Sequence, residues 1–220
     1  ALDLAQADPK AIRRQFSVVL ERTLRELNGE SCIELEEMPA TKQQIVCSRS
    51  FGQKVTTLDS MRQAITGHVS RAAEKLRKEG RVAGHLSVFI RTSPFKADRP
   101  QYSNSASYRF ETPTADTSRM VKAAQGLLNG LWRSGFEYSK AGVMIGDFSV
   151  AGRSQLDMFD EGDTGRSEKL MSVLDSLNQK QKGAVFLAGQ GIPSQRAWGM
   201  KQDNLSPAYT TRWSDLPRVR

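Results

Sequence analysis

His85-Leu86-Ser87-Val88-Phe89-Ile90-Arg91-Thr92 and, after a loop holding Pro94 and Pro100, Ser105-Ala106-Ser107-Tyr108-Arg109-Phe110-Glu111 decide the fold. Leu86, Val88 and Ile90 alternate with Ser87, Phe89 and Arg91, and Ala106, Tyr108 and Phe110 alternate with Ser105, Ser107 and Arg109. Period-two alternation marks strands with one buried side. Upstream, Ile45-Val46-Cys47-Ser48-Arg49-Ser50-Phe51 reads as a strand stopped by Gly52. A helix follows, opened by Thr56 and Asp59, with Leu58, Met61, Ile65, Val69, Ala72, Ala73 and Leu76 on one face and Gly80 as its stop. Downstream, Thr112-Pro113-Thr114 opens a second helix carrying Met120, Ala124, Leu127, Leu128 and Leu131, closed by Gly135, and a fourth strand runs over about Tyr138–Phe148. The order βαββαβ folds most simply as an α+β domain, a four-stranded sheet with both helices on one face.

That arrangement leaves the other sheet face bare. Its candidates are Ser48 or Arg49, with Ser50, Ser87, Arg91, Ser105, Ser107, Arg109 and Lys140. Hydroxyls and guanidinium forks suit phosphate oxygens. The charge points the same way. The chain of 220 residues carries +8, distributed as −3 over residues 1–41, +10 over 42–153 and +1 over 154–220. A basic excess confined to the middle segment reads as a surface for a polyanion, most simply nucleic acid. An ordinary solvated sheet face is the alternative.

The flanks read differently. One helix is predicted from the Asp8 N-cap and Pro9 through Ile12, Phe16, Val19, Leu20, Leu24 and Leu27 to Asn28-Gly29, with an acidic linker at Glu34-Leu35-Glu36-Glu37. Residues 149–166 form a loop in which Gln155-Leu156-Asp157-Met158-Phe159 places large apolar side chains in acidic, Gly-rich surroundings, which suits burial in a partner's pocket or against its own domain. The last segment opens with a helix from Ser167 to about Asn178, with Leu170, Val173, Leu174 and Leu177 on one face. An apolar strand at Ala184–Ala188 follows, then a small tail.

No catalytic constellation is visible. There is no phosphate loop, nucleophile elbow or HExxH. His68 on an apolar helix face reads as a packed core histidine. Cys32 and Cys47 fit a reducing cytosol better than a disulfide scaffold, and with His68 and His85 they make no zinc spacing. No apolar run approaches the roughly 20 residues of a membrane helix, and no signal peptide is read. The start at Ala1 without Met suggests a fragment. The chain is expected to bind rather than catalyse, in the cytoplasm and close to the nucleoid.

Several runs together resemble one family. They are Cys47-Ser48-Arg49-Ser50-Phe51-Gly52, Arg71-Ala72-Ala73-Glu74-Lys75-Leu76-Arg77, Lys140 through Asp147, the peptide Gln155–Phe159, Gly189-Gln190-Gly191, and Leu205-Ser206-Pro207 through Trp213. Over nearly all 220 residues the chain resembles the C-terminal half of the UmuC family, the Y-family catalytic subunits of bacterial DNA polymerase V and their plasmid- and element-borne relatives. The resemblance implies that 1–41 is the end of the thumb with a linker. It makes 42–148 the little finger that holds DNA, 149–166 a loop with a clamp-binding peptide, and 167–220 a small C-terminal α/β extension. It adds Phe51 and Gly52 to the DNA-contact set. It makes Gln155, Leu156, Met158 and Phe159 the anchors for the bacterial sliding clamp. It implies primer-template DNA, UmuD-like accessory subunits and a recombinase filament as partners, in SOS mutagenesis and translesion DNA repair. The palm carboxylates for two Mg²⁺ would precede residue 1, so this chain holds no cofactor and is inactive alone. The residues by themselves give DNA binding without chemistry, and polymerase rests on the resemblance. Two alternatives remain open: a module docking regulatory protein subunits, and an RNA-binding βαββαβ domain. The second requires stacking aromatics on the central strands, where only Phe89 qualifies.

Overall fold

The computed structural model describes residues 1–33, 41–95, 98–152, 165–181, 183–192, 196, 198–200 and 204–217. The chain divides into two compact units, Ala1–Thr41 and Lys42–Arg220.

In the first unit, helices α1 (Leu2–Ala5), α2 (Pro9–Gln15) and α3 (Val18–Leu27) replace the single long helix expected there. Phe16 leaves helical geometry at φ −121° and ψ −91°, and the Ser17 hydroxyl then caps α3 by accepting from Leu20 N–H. A second cap inside an amphipathic run is what breaks it. Asp8 caps α2 as expected, accepting from the Lys10 and Ala11 amides.

The second unit is built on β1 (Gln44–Val55), α4 (Leu58–Lys78), β2 (Arg81–Thr92), β3 (Ser103–Thr114), α5 (Thr117–Leu131) and β4 (Tyr138–Val150). The strands form one antiparallel sheet in the order β1-β4-β2-β3. This is the expected α+β arrangement, with longer strands. β1 runs through Gly52 to Val55, and β3 absorbs Thr112-Pro113-Thr114. Proline is tolerated there because β3 is an edge strand, with one side free of ladder bonds. α5 therefore starts later, capped by the Asp116 carboxylate, which accepts from Ser118 and Arg119 N–H. The Thr57 hydroxyl, one residue after the expected start, caps α4.

Both helices lie on one face of the sheet. Met61, Ile65, Val69, Ala72, Ala73 and Leu76 of α4 are fully buried, together with Met120, Ala124 and Leu128 of α5. They meet Leu86, Val88, Ile90, Ala141, Val143 and Ile145 of the central strands. Each of the Val, Leu, Ile and Met side chains among them contributes roughly 1.5–3 kcal/mol by leaving water.

Helix α6 (Gly165–Lys180) and the segment after it complete this unit. Of the expected α6 face, Leu170, Val173 and Leu177 are exposed, and the buried side chain is Met171. The fixed point is polar: Arg77 of α4 grips Asp175 through Nε and Nη2, both at 2.7 Å. Ser167 donates to the Asp116 carboxylate. No strand forms at Ala184–Ala188. Asn178 explains this, because its amide donates to Val185 C=O at 2.9 Å and its oxygen accepts from Val185 N–H at 3.0 Å. Both backbone groups that a ladder would use are taken. A short 3-10 turn, Ala188–Gln190, follows instead.

Candidate nucleic-acid interface

Strand register sorts the predicted residues by face, because directly paired residues point to the same side. On the side away from the helices four rows cross the sheet in the order β1, β4, β2, β3. They are Gln44-Gly146-His85-Arg109, Val46-Met144-Ser87-Ser107, Ser48-Gly142-Phe89-Ser105 and Ser50-Lys140-Arg91-Ser103. Ser50, Ser87, Arg91, Ser105, Ser107, Arg109 and Lys140 therefore share one face, and of the pair Ser48 and Arg49 it is Ser48 that joins them.

Arg49 does not. It pairs with Ala141 on the helix side, and its Nη1 lies 3.6 Å from the Met200 sulfur. Phe51 is a core residue at 8% exposure, and Gly52 donates its N–H to Gly199 C=O. These three are corrections to the placement expected from sequence. Alternation alone could have assigned Arg49, since Ile45 and Cys47 precede it at even spacing on the buried side. The peptide Gln155-Leu156-Met158-Phe159 lies outside the described residues.

The face is less uniform than hydroxyls and cations. Val46 is 52% exposed, and with Met144 and Phe89 it makes an apolar middle, of which the strand alternation in sequence placed only Phe89 on this face. Phe89 lies over Gly142. A Cβ there would stand 2.7 Å from the Phe89 ring and 2.3 Å from Ser48 Cβ, so only glycine fits. Ser87 is buried, and its hydroxyl shares a 2.9 Å hydrogen bond with Ser107. The cations gather at the two ends: Arg91 and Lys140 at one, Arg109 at the other. Arg109 is drawn toward Asp147 at 3.5 Å, both side chains being well exposed. Asp147 adopts φ 56°, uncommon for a residue with a Cβ, and lies against Gly84 of β2, where a Cβ would stand 2.7 Å from its carboxylate.

On the helix side, α4, the α6 residues Leu174, Asp175 and Asn178, and Val185, Phe186, Gln190, Arg196, Trp198 and Met200 line a groove of about 640 Å³. His68 forms part of its lining, 5% exposed, with its ring edge-to-face against Trp198 at 6.1 Å between centroids. Burial holds the His68 pKa down at about 4, and the nearby Arg49 and Arg71 charges add to this. His68 Nε2 and Trp198 Nε1 are both buried without a hydrogen-bond partner. Gly67 admits the indole: a Cβ would meet it at 3.2 Å. Arg196 stands over the rings of Phe186 and Trp198, at 5.6 and 5.4 Å. Cys47 is buried beneath α4, and burial pushes its thiol pKa up.

Among the described residues no group of three or more His, Cys, Asp or Glu side chains could hold a metal ion, so these residues do not fit a two-metal centre. No described helix is long and apolar enough to cross a membrane.

Comparison with known proteins adds two matches along the chain. Residues 42–158 match the impB/mucB/samB family C-terminal domain, and residues 168–219 match a domain of unknown function, DUF4113. The chain is 54% identical to Protein SamB of Salmonella typhimurium over 221 residues, covering all of this chain and 52% of SamB. It is 51% identical to Protein UmuC of Salmonella typhimurium strain LT2 over 222 residues, again all of this chain and 52% of that protein. It is also 51% identical to Protein MucB of Escherichia coli over 217 residues, 98% of this chain and 51% of MucB. The chain thus spans about half the length of the curated relatives it matches.

Proposed function

Because the chain belongs to the impB/mucB/samB family, whose C-terminal domain it contains, we propose that it is the DNA-holding part of an error-prone translesion polymerase acting in SOS mutagenesis and DNA repair. The observation that carries this reading is the bare sheet face, with Arg91 and Lys140 at one end and Arg109 at the other. Guanidinium and ammonium groups on a rigid sheet grip phosphates without reading bases, which suits an enzyme that must hold damaged DNA of any sequence. In the domain scheme that goes with this reading, residues 42–148 are the little finger, 1–41 the end of the thumb, and 167–220 the extension. The nucleotidyl transfer belongs to carboxylates elsewhere in the polymerase, and this chain supplies grip. The expected setting is the bacterial cytoplasm, at the nucleoid.

The test is duplex binding against salt. Three cations on the face, each displacing about 0.9 counterion, give a log K against log salt slope near −2.7. The Arg91→Ala, Lys140→Ala double variant should lose about 1.8 of that, and Arg49→Ala, on the opposite side, should leave the slope for duplex unchanged. An unaltered slope in the double variant removes the assignment.

The same reading makes Gln155, Leu156, Met158 and Phe159 the clamp-docking peptide, with micromolar affinity as befits a small apolar anchor. A Leu156→Ala, Phe159→Ala variant should lose binding to the bacterial sliding clamp. A second reading, docking of UmuD-like subunits or a recombinase filament, draws on α6. There Leu170, Val173 and Leu177 are 60%, 58% and 43% exposed at i, i+3 and i+7. Replacing all three with Ser should abolish accessory-subunit binding while leaving duplex binding intact.

A further inference from the structure

The groove on the helix side has a charge pattern of its own. Arg71, Lys75 and Lys78 occupy positions i, i+4 and i+7 of α4, all exposed and all lining it. Arg49 lines it too, from β1. Among the described residues none of these four has a carboxylate within ion-pair distance. Two acids line the groove: Asp175, already held by Arg77, and Glu74. A helix rises ~1.5 Å per residue, so the α4 cations recur about every 5–6 Å along a line about 10 Å long. Regular spacing of like charges along a groove matches a polyanion whose own charges repeat regularly. It does not match an acidic peptide, whose carboxylates fall irregularly and alternate faces. Beside the α4 cations, Leu174, Val185 and Phe186 also line the groove, an apolar surface against which bases can lie. Its lining includes two orphaned polar atoms, His68 Nε2 and Trp198 Nε1. The indole N–H can only donate, so an anion or a carbonyl oxygen is its complement.

We propose that this groove is a second nucleic-acid site, for a single strand, separate from the bare sheet face and on the opposite side of the sheet. The backbone phosphates lie along Arg71, Lys75 and Lys78 and end at Arg49, near the β1 edge whose Ser48 and Ser50 face the other way. Arg196 is not counted as a phosphate ligand, since its Nε and Nη2 donate to Gly191 C=O and its plane is packed on Phe186 and Trp198.

The experiment uses the full chain and two labelled probes, an oligo-dT of about ten nucleotides and a duplex of mixed sequence, with anisotropy measured over a range of salt. An Arg71→Gln, Lys75→Gln, Lys78→Gln variant should flatten the single-strand slope by about 2, at ~0.7 per phosphate contact, and leave the duplex slope within 0.3 of wild type. The sheet-face variant Arg91→Ala, Lys140→Ala is expected to do the reverse. Circular dichroism melting should place both variants near wild type, because every substituted side chain is at least partly exposed. If the α4 variant binds oligo-dT like wild type, or loses both probes equally, the second site is overturned. Binding of poly-glutamate in place of oligo-dT, lost in the same variant, would overturn it in favour of an acidic peptide. Because the two variants act on different probes, loss of the groove leaves the sheet-face reading standing, and the converse holds.

Discussion

Arg77→Ala is the most informative single change for the seat of α6. Arg77 and Asp175 are 14% and 17% exposed, and the guanidinium also donates to Ala115 C=O at 2.8 Å and to the Thr117 hydroxyl at 2.9 Å. Removing one partner of a fully buried pair costs about 3–5 kcal/mol, and an exposed pair is worth about 0–1 kcal/mol. A pair of this intermediate burial, with its aspartate left unpaired and two neutral hydrogen bonds lost as well, should cost about 2 kcal/mol. For a unit of this size that lowers Tm by about 4–8 °C if it melts as one. The loss has an address. Hydrogen exchange should accelerate across α6, while amides under Ile65, Val69 and Leu76 of α4 stay protected. Arg77→Lys keeps the charge and loses the two-pronged grip, so it should recover less than half of the loss. Asp175→Asn should behave similarly, and a double-mutant cycle of Arg77→Ala with Asp175→Asn should give a coupling above about 1 kcal/mol. If Tm moves by less than 1 °C and α6 exchange is unchanged, the helix is held by Met171 and the polar clasp is incidental.

Other outcomes can be checked alongside. Gly142→Ala should destabilise by about 1–3 kcal/mol in denaturant titration, since its methyl would collide with Ser48 Cβ and the Phe89 ring. Asp147→Asn tolerates the left-handed backbone and frees Arg109, so it should leave stability within about 0.5 kcal/mol and steepen the duplex salt slope. His68 is neutral in the fold with a pKa near 4, against about 6.5 unfolded. The unfolded chain then binds the extra proton, so stability is fully present above about pH 6.5 and declines as pH falls toward 4, by about 3 kcal/mol in all. His68→Phe should flatten that stretch of the stability–pH curve. A thiol reagent should modify the partly exposed Cys32 well before Cys47, which is buried with its thiol pKa raised.

The order of elements was legible because two short patterns, period two in His85–Thr92 and period 3.6 in Leu58–Leu76, each match one geometry only. The face assignment was legible for the central strands, where every second residue is aliphatic. It failed on β1, because the buried side there runs Ile45, Cys47, Arg49, Phe51. An arginine among apolar neighbours looks like a surface residue until the groove beside α4 is known to receive it. Val46 and Met144 were missed as face residues because apolar side chains on a strand are assigned to the core by default. The C-terminal segment was least legible. Asn178 holds both polar groups of Val185, and Arg77 sets the rotation of α6. Long-range polar contacts of this kind leave no periodicity in sequence. The two breaks that were misjudged, Gly52 and Pro113, sit in edge strands, where the usual interrupters are harmless.

The four rows of the bare face also set a length. Residues two apart on a strand are separated by about 6.8 Å, so the row holding Arg109 and the row holding Arg91 and Lys140, three steps apart, stand about 20 Å from one another. The B-form major groove is ~12 Å wide. On the proposed reading the sheet would work as a calliper: its two charged jaws are far enough apart to close on both sugar–phosphate walls of that groove, while Val46, Met144 and Phe89 would fill the opening between them without asking for any base. A lone strand would not bridge the two jaws. If the sheet face holds DNA as proposed, selection for double-stranded over single-stranded DNA on this side would follow from the distance between cations, with no change in their number.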